Sequence, residues 1–221
     1  MRSALFRDRT EAGCALGRAV QEALSEFREE PDPVILALPR GGVPIGVEVA
    51  RQCGAPLDLL MVRKLGMPGH AELAVGAVVD GDDPQMVMNP DVMRIAGLSR
   101  EDLIPIRDRE LAEIDRRREI YLPGRKPIPL EGRDAVVVDD GIATGATVRA
   151  ALKGLGRRGA RRIILAVPVA PMETVADLRA GVVRVVCLET PAPFWAVGAH
   201  YQVFNQVSDA QVVRFLRELN R

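Results

Sequence analysis

Cysteine, lysine and aromatic residues are all scarce in this 221-residue chain. The three cysteines, Cys14, Cys53 and Cys187, are an odd number with no metal-ligand spacing. They argue against a disulfide framework or a zinc site, and for small apolar roles in a reducing compartment. Lysine occurs only at Lys64, Lys126 and Lys153 among thirty basic residues. The arginine skew fits a GC-rich genome better than life at high temperature, whose signal is Lys and Glu enrichment. No excess of positive charge exists, because thirty acidic residues balance the basic ones. A general nucleic-acid partner, which needs a basic stripe or surplus, is therefore not expected. Nor is there an apolar run near the ~20 residues of a membrane-spanning helix. Met1 to Glu11 is charged and lacks the apolar stretch of a signal peptide. A soluble cytoplasmic protein, with no membrane partner, is the expectation. Internal repeats and low-complexity segments are also missing.

What is present is an ordinary globular composition, 48% hydrophobic, in a chain long enough for one domain with a sizeable core. Asp8 or Thr10 can cap a first helix to about Arg28, with apolar positions at Leu16, Val20 and Leu24. Val34–Leu38 reads as a short strand, followed by the turn Pro39-Arg40-Gly41-Gly42 and a helix from about Val43 to Gln52. Leu57–Val62 is the next strand and ends in Arg63-Lys64. The Gly- and Pro-rich stretch Leu65–Ala71 is expected to be mobile. Leu73–Val79 reads as strand, with Met86–Met88 pairing back across a turn. Ser99-Arg-Glu-Asp102 is a capping box opening a helix to about Ile120, whose alternating charges mark a solvated face. Val136–Val138, Arg162–Val167 and Val182–Leu188 read as buried strands. Between them lie helices to about Arg157 and over Pro171–Arg179. Ser208 caps a last helix. Strands alternating with helices predict an α/β fold of three layers, with a mainly parallel central sheet flanked by helices.

The most informative stretch is Ala135-Val-Val-Val-Asp139-Asp140-Gly141-Ile142-Ala143-Thr144-Gly145-Ala146-Thr147. A β-branched run ends in two adjacent carboxylates, and a small-residue loop then leads into a helix. Gly141 and Gly145 permit a sharp turn and close approach of a ligand. The loop's N–H groups and the helix N-terminus present partial positive charge to an anion, and Thr144 and Thr147 add hydroxyls. Asp139 and Asp140 would repel a phosphate, so they should face something else. Vicinal ribose hydroxyls fit, since each can donate to a carboxylate, and a magnesium ion is the other candidate. The P-loop pattern is excluded because this loop has no lysine, and the dinucleotide fingerprint because the spacing is G-x-x-x-G.

These thirteen residues resemble the phosphoribosyl pyrophosphate (PRPP) motif of type I phosphoribosyltransferases. The resemblance extends in order over roughly Pro33 to Glu189. It implies a single domain over 1–221, with hood or insertion elements around 81–133 and 190–206. It further implies transfer of the 5-phosphoribosyl group from PRPP to a nitrogen nucleophile, a nucleobase being the first candidate, with release of pyrophosphate and Mg²⁺ as cofactor. The 5-phosphate would lie on Gly141 to Thr147 and the ribose on Asp139 and Asp140, with the metal near these acids directly or through ribose hydroxyls or water. Arg40, Gly41 and Gly42 occupy the place of the family's pyrophosphate loop. Arg63 and Lys64 adjoin its mobile loop, where they would assist the departing pyrophosphate, with His70 and Glu72 as weaker candidates. Phe194, Trp195 and Tyr201 gather the sparse aromatics where the family's variable hood presents the acceptor. Their pattern matches no particular base. Family habit and this aromatic segment make a homodimer compatible with the sequence. The rival reading is a non-catalytic regulator sensing PRPP or a nucleotide on the same fold. It could dispense with the pyrophosphate and basic loops, and no basic helix-turn-helix arm is present. A sugar-phosphate hydrolase would need a water-activating group that the sequence does not show.

Overall fold

In the computed structural model, residues 4–67, 70–81 and 84–219 are described, with backbone alone for 70–73. Five strands form the central sheet: β1 (Pro33–Ala37), β2 (Leu57–Leu59), β6 (Asp134–Val138), β7 (Arg162–Val169) and β8 (Arg184–Glu189). Their order is β2-β1-β6-β7-β8 and every pairing is parallel. Alternation along each strand divides the core. Ile35, Ala37, Val136, Val138, Ile164 and Ala166 face one apolar cluster. Val34, Leu36, Ala135, Val137, Leu165 and Val167 face the other. Helices α1 (Arg9–Ser25), α2 (Gly42–Cys53) and α7 (Asp209–Leu219) cover the first face through Leu16, Val20, Ile45, Val49, Val212 and Leu216. Helices α5 (Ala146–Leu155) and α6 (Met172–Leu178) cover the second through Val148, Leu152, Leu155, Val175 and Leu178. Burial on both faces is why the strands read as continuous apolar runs rather than alternating ones. Each fully buried Leu, Ile or Val contributes roughly 1.5–3 kcal/mol.

A second sheet of three antiparallel strands, β3 (Val62–Met67), β4 (His70–Val79) and β5 (Gln85–Met88), departs from the expected layout. The stretch Leu57–Val62 is not one strand. β2 stops at Leu59, and the chain leaves the parallel sheet at Leu60 and Met61. The Met61 N–H donates to the buried Asp80 carboxylate (2.9 Å), and the Asp80 N–H donates to the Met61 carbonyl (3.0 Å), joining the start of β3 to the end of β4. The break is hidden in the sequence because both sheets bury their apolar residues. Of the stretch Leu65 to Ala71 expected to be mobile, Pro68 and Gly69 lie outside the described residues, and the rest is strand. Leu65 to Met67 belong to β3, with Leu65 fully buried, and His70 and Ala71 begin β4. Met86–Met88 does pair antiparallel with β4, as the sequence suggests.

Helix α3 (Pro90–Ala96) has no counterpart in the sequence reading, although its punctuation is complete. Asn89 accepts from the Val92 N–H, Pro90 sits in the first turn, and Gly97 closes the helix in the left-handed region. It is too short for a periodic apolar face to announce it. Ser99 and Asp102 form the expected reciprocal bonds, but these cap a 3₁₀ turn, Glu101–Leu103, from which α4 (Ile104–Tyr121) continues. Only Glu110, Ile114 and Tyr121 of α4 are buried, in keeping with the solvated face. Arg118 of α4 staples the sheets together, donating to Asp58 (2.8 Å), Asp80 (2.9 Å) and the Leu59 carbonyl (3.3 Å). In a five-strand parallel sheet all carboxyl ends share one edge, so the chain segments after β1, β6, β7 and β8 meet there. Among the described residues no helix is long and apolar enough to cross a membrane.

Candidate functional site

Strand β6 is buried along its whole length and delivers Asp139 and Asp140 to the carboxyl edge of the sheet. The loop after β1 lies directly beside them. The Leu38 N–H donates to the Val138 carbonyl (2.9 Å), which extends the β1–β6 ladder by one step. The Gly42 N–H donates back to the Leu38 carbonyl (3.0 Å), closing a tight turn through a cis Pro39–Arg40 bond. Gly41 is required there by contact. A Cβ at this position would lie 2.1 Å from Oδ2 of Asp140. The Arg40-Gly41-Gly42 loop and the paired acids are thus one continuous surface.

The two carboxylates are wired differently. Oδ1 of Asp139 accepts from the Asp140 backbone N–H (2.9 Å). Oδ2 of Asp140 accepts from Nε of Arg9 (2.8 Å) and is ion-paired with its NH2 (2.8 Å). Among the described residues, the second oxygen of each acid receives no donor, so each aspartate keeps one acceptor for a ligand. Burial, and then the charge of Asp140, push the Asp139 carboxyl well above the usual carboxylate range. Burial also raises Asp140, against the lowering pull of Arg9. Each acid is thereby poised to exchange water for a ligand that donates hydrogen bonds.

The segment after the acids is an open cradle. The Ile142 N–H donates to the Val169 carbonyl (3.0 Å) and its side chain is buried, which anchors the loop to the sheet. Ala143, Thr144, Ala146 and Thr147 are exposed. Gly145 caps α5 with φ 72°, a left-handed conformation that disfavours any side chain, and it contributes no side-chain cap. The first N–H groups of α5 therefore have no partner in the helix and point outward. The Thr174 hydroxyl holds the Ala143 carbonyl (3.0 Å), and Arg149 holds the Thr144 carbonyl, so the cradle is fixed from behind.

The remaining candidates are dispersed. Arg40 lines a cleft of about 480 Å³ together with Gly41, Asp140 and residues of the C-terminal segment, and its guanidinium also reaches Asp209 of α7 (3.4 Å). Arg63 and Lys64 do not line this cleft. They sit on β3, where Arg63 pairs with Glu110 of α4 (2.8 Å). The cation pair expected at a strand end beside the mobile loop is instead inside an antiparallel sheet, because the strand that carries it continues to Met67. The His70 and Glu72 side chains lie outside the described residues. Tyr201 is buried rather than facing an acceptor, and its hydroxyl donates to the Asp140 carbonyl (2.6 Å). Phe194 packs against His200, with ring centroids 4.9 Å apart. Trp195 alone of the three is open, at 83% exposure.

The sequence does not point to Arg9, Phe204 or Asn205. The Arg9 guanidinium lies 3.8 Å from the Phe204 ring centroid and donates to the Asn205 carbonyl (2.8 Å) while holding Asp140. It stands 131 residues from its acid in a helix's first turn, where arginine is commonplace. No local signal marks it. A three-residue cluster of His, Cys, Asp or Glu able to hold a metal is absent among the described residues. Two adjacent acids fit Mg²⁺ only if most of its ligands come from a substrate's oxygens and water, the usual arrangement for this ion.

Comparison with known proteins agrees with the geometry. The family model described as phosphoribosyl transferase domain matches residues 8–203. A Mycobacterium tuberculosis H37Rv protein provisionally named a phosphoribosyl transferase is 46% identical over 217 residues, covering 98% of this chain and 47% of the relative. The corresponding protein of strain CDC 1551 matches to the same extent. The chain thus spans about half the length of these relatives. The crystal structure of TT1426 from Thermus thermophilus is 42% identical, with a TM-score of 0.81 over 99% of both chains. A Neisseria gonorrhoeae hypothetical protein solved with bound ppGpp shares the fold at 13% identity, with a TM-score of 0.51 over 99% of this chain and 98% of that one.

Proposed function

The chain belongs to the phosphoribosyl transferase family, and from that premise we propose that it moves the 5-phosphoribosyl group of Mg²⁺–PRPP onto a nitrogen nucleophile, releasing pyrophosphate. The observation that carries this reading is the pair of acids at the end of β6, each keeping one carboxylate oxygen without a donor among the described residues. Two vicinal hydroxyls of a ribose match two such acceptors. The adjoining exposed cradle, residues 143–147, suits the 5-phosphate by its N–H groups and the α5 N-terminus. The Arg40-Gly41-Gly42 loop abutting Asp140 suits the pyrophosphate, with Arg40 exchanging Asp209 for phosphate oxygens.

In this reading the acceptor nitrogen attacks the anomeric carbon, and the bond to pyrophosphate breaks with its electron pair leaving on the phosphate oxygen. Positive charge develops on the ribose ring. The acids' negative field favours that charge without any protein nucleophile. Mg²⁺ supplies charge neutralisation for the pyrophosphate and arrives with the substrate. The proton displaced from the acceptor nitrogen goes to a nearby base, and Asp140 is the first candidate. Arg63 and Lys64 would serve only if the β3–β4 hairpin brought them over the pyrophosphate, which requires Arg63 to exchange Glu110 for phosphate. Trp195 remains a candidate for the acceptor's aromatic contact.

Titration calorimetry with PRPP and Mg²⁺ tests the reading. Wild type should bind in a Mg²⁺-dependent manner, and Asp139→Asn/Asp140→Asn should lose affinity by roughly 100-fold or more, given about 1.5–3 kcal/mol for each hydrogen bond to a charged group. A folded wild type that does not bind PRPP ends the proposal. A protein that binds PRPP but releases no pyrophosphate with any base would favour the regulatory alternative.

A further inference from the structure

We infer that Arg9 is a positioning residue for Asp140, fixing the plane in which that carboxylate meets the ribose; the inference rests on the PRPP-site reading above. Nε of the guanidinium donates to Oδ2 (2.8 Å), and NH2 forms an ion pair with that same oxygen (2.8 Å). The other oxygen is left for the ligand. The carboxylate occupies the space a side chain at residue 41 would need, since a Cβ added to Gly41 would lie 2.1 Å from Oδ2 and 3.1 Å from Oδ1. The carboxylate is therefore held by one guanidinium, in a space that exists because residue 41 has no side chain.

Arg9 is itself immobilised. Its guanidinium rests on Phe204 (3.8 Å) and donates through NH1 to the Asn205 carbonyl (2.8 Å). The segment carrying it is bonded to the C-terminal segment at three further points. The Phe6 N–H donates to the His200 carbonyl (3.0 Å), the Gln202 N–H to the Phe6 carbonyl (2.9 Å) and the Val203 N–H to the Arg7 carbonyl (2.8 Å). Tyr201 then returns to the Asp140 carbonyl (2.6 Å). Residues 6–9 and 200–205 thus converge on one aspartate, and Arg9 is the only side chain among the described residues that holds its carboxylate. The pair is not a surface ion pair, since the Arg9 and Asp140 side chains are 12% and 14% exposed. Loss of Arg9 would leave the backbone of Asp140 in place and its carboxylate free to reorient.

Two other roles make different predictions. A purely structural Arg9 would affect melting temperature and leave PRPP affinity alone. A direct phosphate contact would weaken binding independently of Asp140. The discriminating experiment is a double-mutant cycle in Mg²⁺–PRPP affinity on the whole chain. It uses Arg9→Ala, Asp140→Asn and the double variant, with melting curves to establish that each is folded. Arg9→Ala should weaken binding by about tenfold or more, as outer-shell supports typically do. In the Asp140→Asn background the same change should cost little further, because its effect passes through Asp140. Arg9→Lys keeps the charge without the planar fork and should fall between wild type and Arg9→Ala. It also serves as the test if Arg9→Ala does not fold. Arg9→Ala binding within twofold of wild type, or losses that multiply in the double variant, would overturn the inference while leaving the PRPP site standing. A wild type without PRPP affinity overturns both.

Discussion

Strand β6 begins at Asp134 and runs out into Asp139 and Asp140, and its two ends treat an aspartate in opposite ways. Asp134 is fully buried and saturated. It accepts from Arg161 (2.9 and 3.1 Å), from both Nε and NH2 of Arg162 (2.8 Å each) and from the Asp32 N–H (3.1 Å). Despite the desolvation that burial brings, these partners bring its carboxyl down to about 2. Asp139 has one backbone donor and a neighbouring acid, and its carboxyl is pushed far the other way. The same residue type on the same strand is a structural keystone at the amino edge and an under-satisfied acceptor at the carboxyl edge. Buried polar groups are ordinarily fully partnered, so an incomplete set of donors is the better marker of a binding site.

Changing the two ends separately sharpens that contrast. The largest expected effect is at the carboxyl edge. Asp139→Asn keeps the acceptor for the Asp140 N–H but removes the charge, and PRPP affinity should fall by about 10- to 100-fold on the basis of one lost charged hydrogen bond. The same variant should melt higher than wild type, by about 0.5–2 kcal/mol in stability, since it removes buried like charges. Calorimetry and a melting curve on the same sample check both. A variant that loses affinity and stability together would place Asp139 with Asp134 as a structural residue.

Asp134→Asn is expected to do the reverse. It leaves Arg161 and Arg162 without their shared anion and should cost about 3 kcal/mol in denaturant unfolding, with PRPP affinity within twofold of wild type.

The pH dependence separates the ends by sign. Asp134, depressed in the fold to about 2, contributes stability that is present above the unfolded carboxylate value and lost as pH falls through the native one. That contribution is about 2 kcal/mol and should disappear between roughly pH 4 and 2. Asp139, raised in the fold, binds its proton more tightly when native. Its contribution therefore improves as pH falls from neutral through its native value. Stability of Asp139→Asn relative to wild type should accordingly shrink as pH is lowered, and a gap that widens on acidification would refute the assignment.

The smallest effect concerns the cradle. Gly145→Ala imposes a side chain at φ 72° and brings Cβ within 3.1 Å of the Thr174 Cγ2. A cost of about 1–2 kcal/mol is expected. PRPP affinity should fall more than that of a ligand lacking the 5-phosphate, which competition calorimetry would read.

Much of this is legible in the chain because it is local. A strand of β-branched residues, two acids and a loop of Gly, Ala and Thr occupy consecutive positions, so their order alone places them at a strand-to-helix turn. Helix α1 announces itself by its cap and apolar spacing, and α7 by its cap at Ser208, in the same way. The errors arise where two different environments look alike in one dimension. Leu57 to Val62 reads as one strand but passes from one sheet to another, and only the bonds between Met61 and Asp80 reveal the break. Arg63 reads as a cation at a strand end, but the strand continues and Glu110 takes its charge. Tyr201 reads as an acceptor contact because aromatics cluster near it, yet its ring is buried and its hydroxyl supports Asp140.

Hydrophobic periodicity, turn residues and one thirteen-residue motif determined the layered α/β architecture and the position of the paired acids on it, since these depend on neighbours in the chain. Tertiary structure alone decided the partners of those acids. Arg9, 131 residues from Asp140, and Gly41, whose lack of a side chain leaves room for the same carboxylate, meet it through the folding of a parallel sheet and the pairing of residues 6–9 with 200–205. Electrostatic environment is a property of distance in space, and no pattern along the chain encodes which charge arrives next to which.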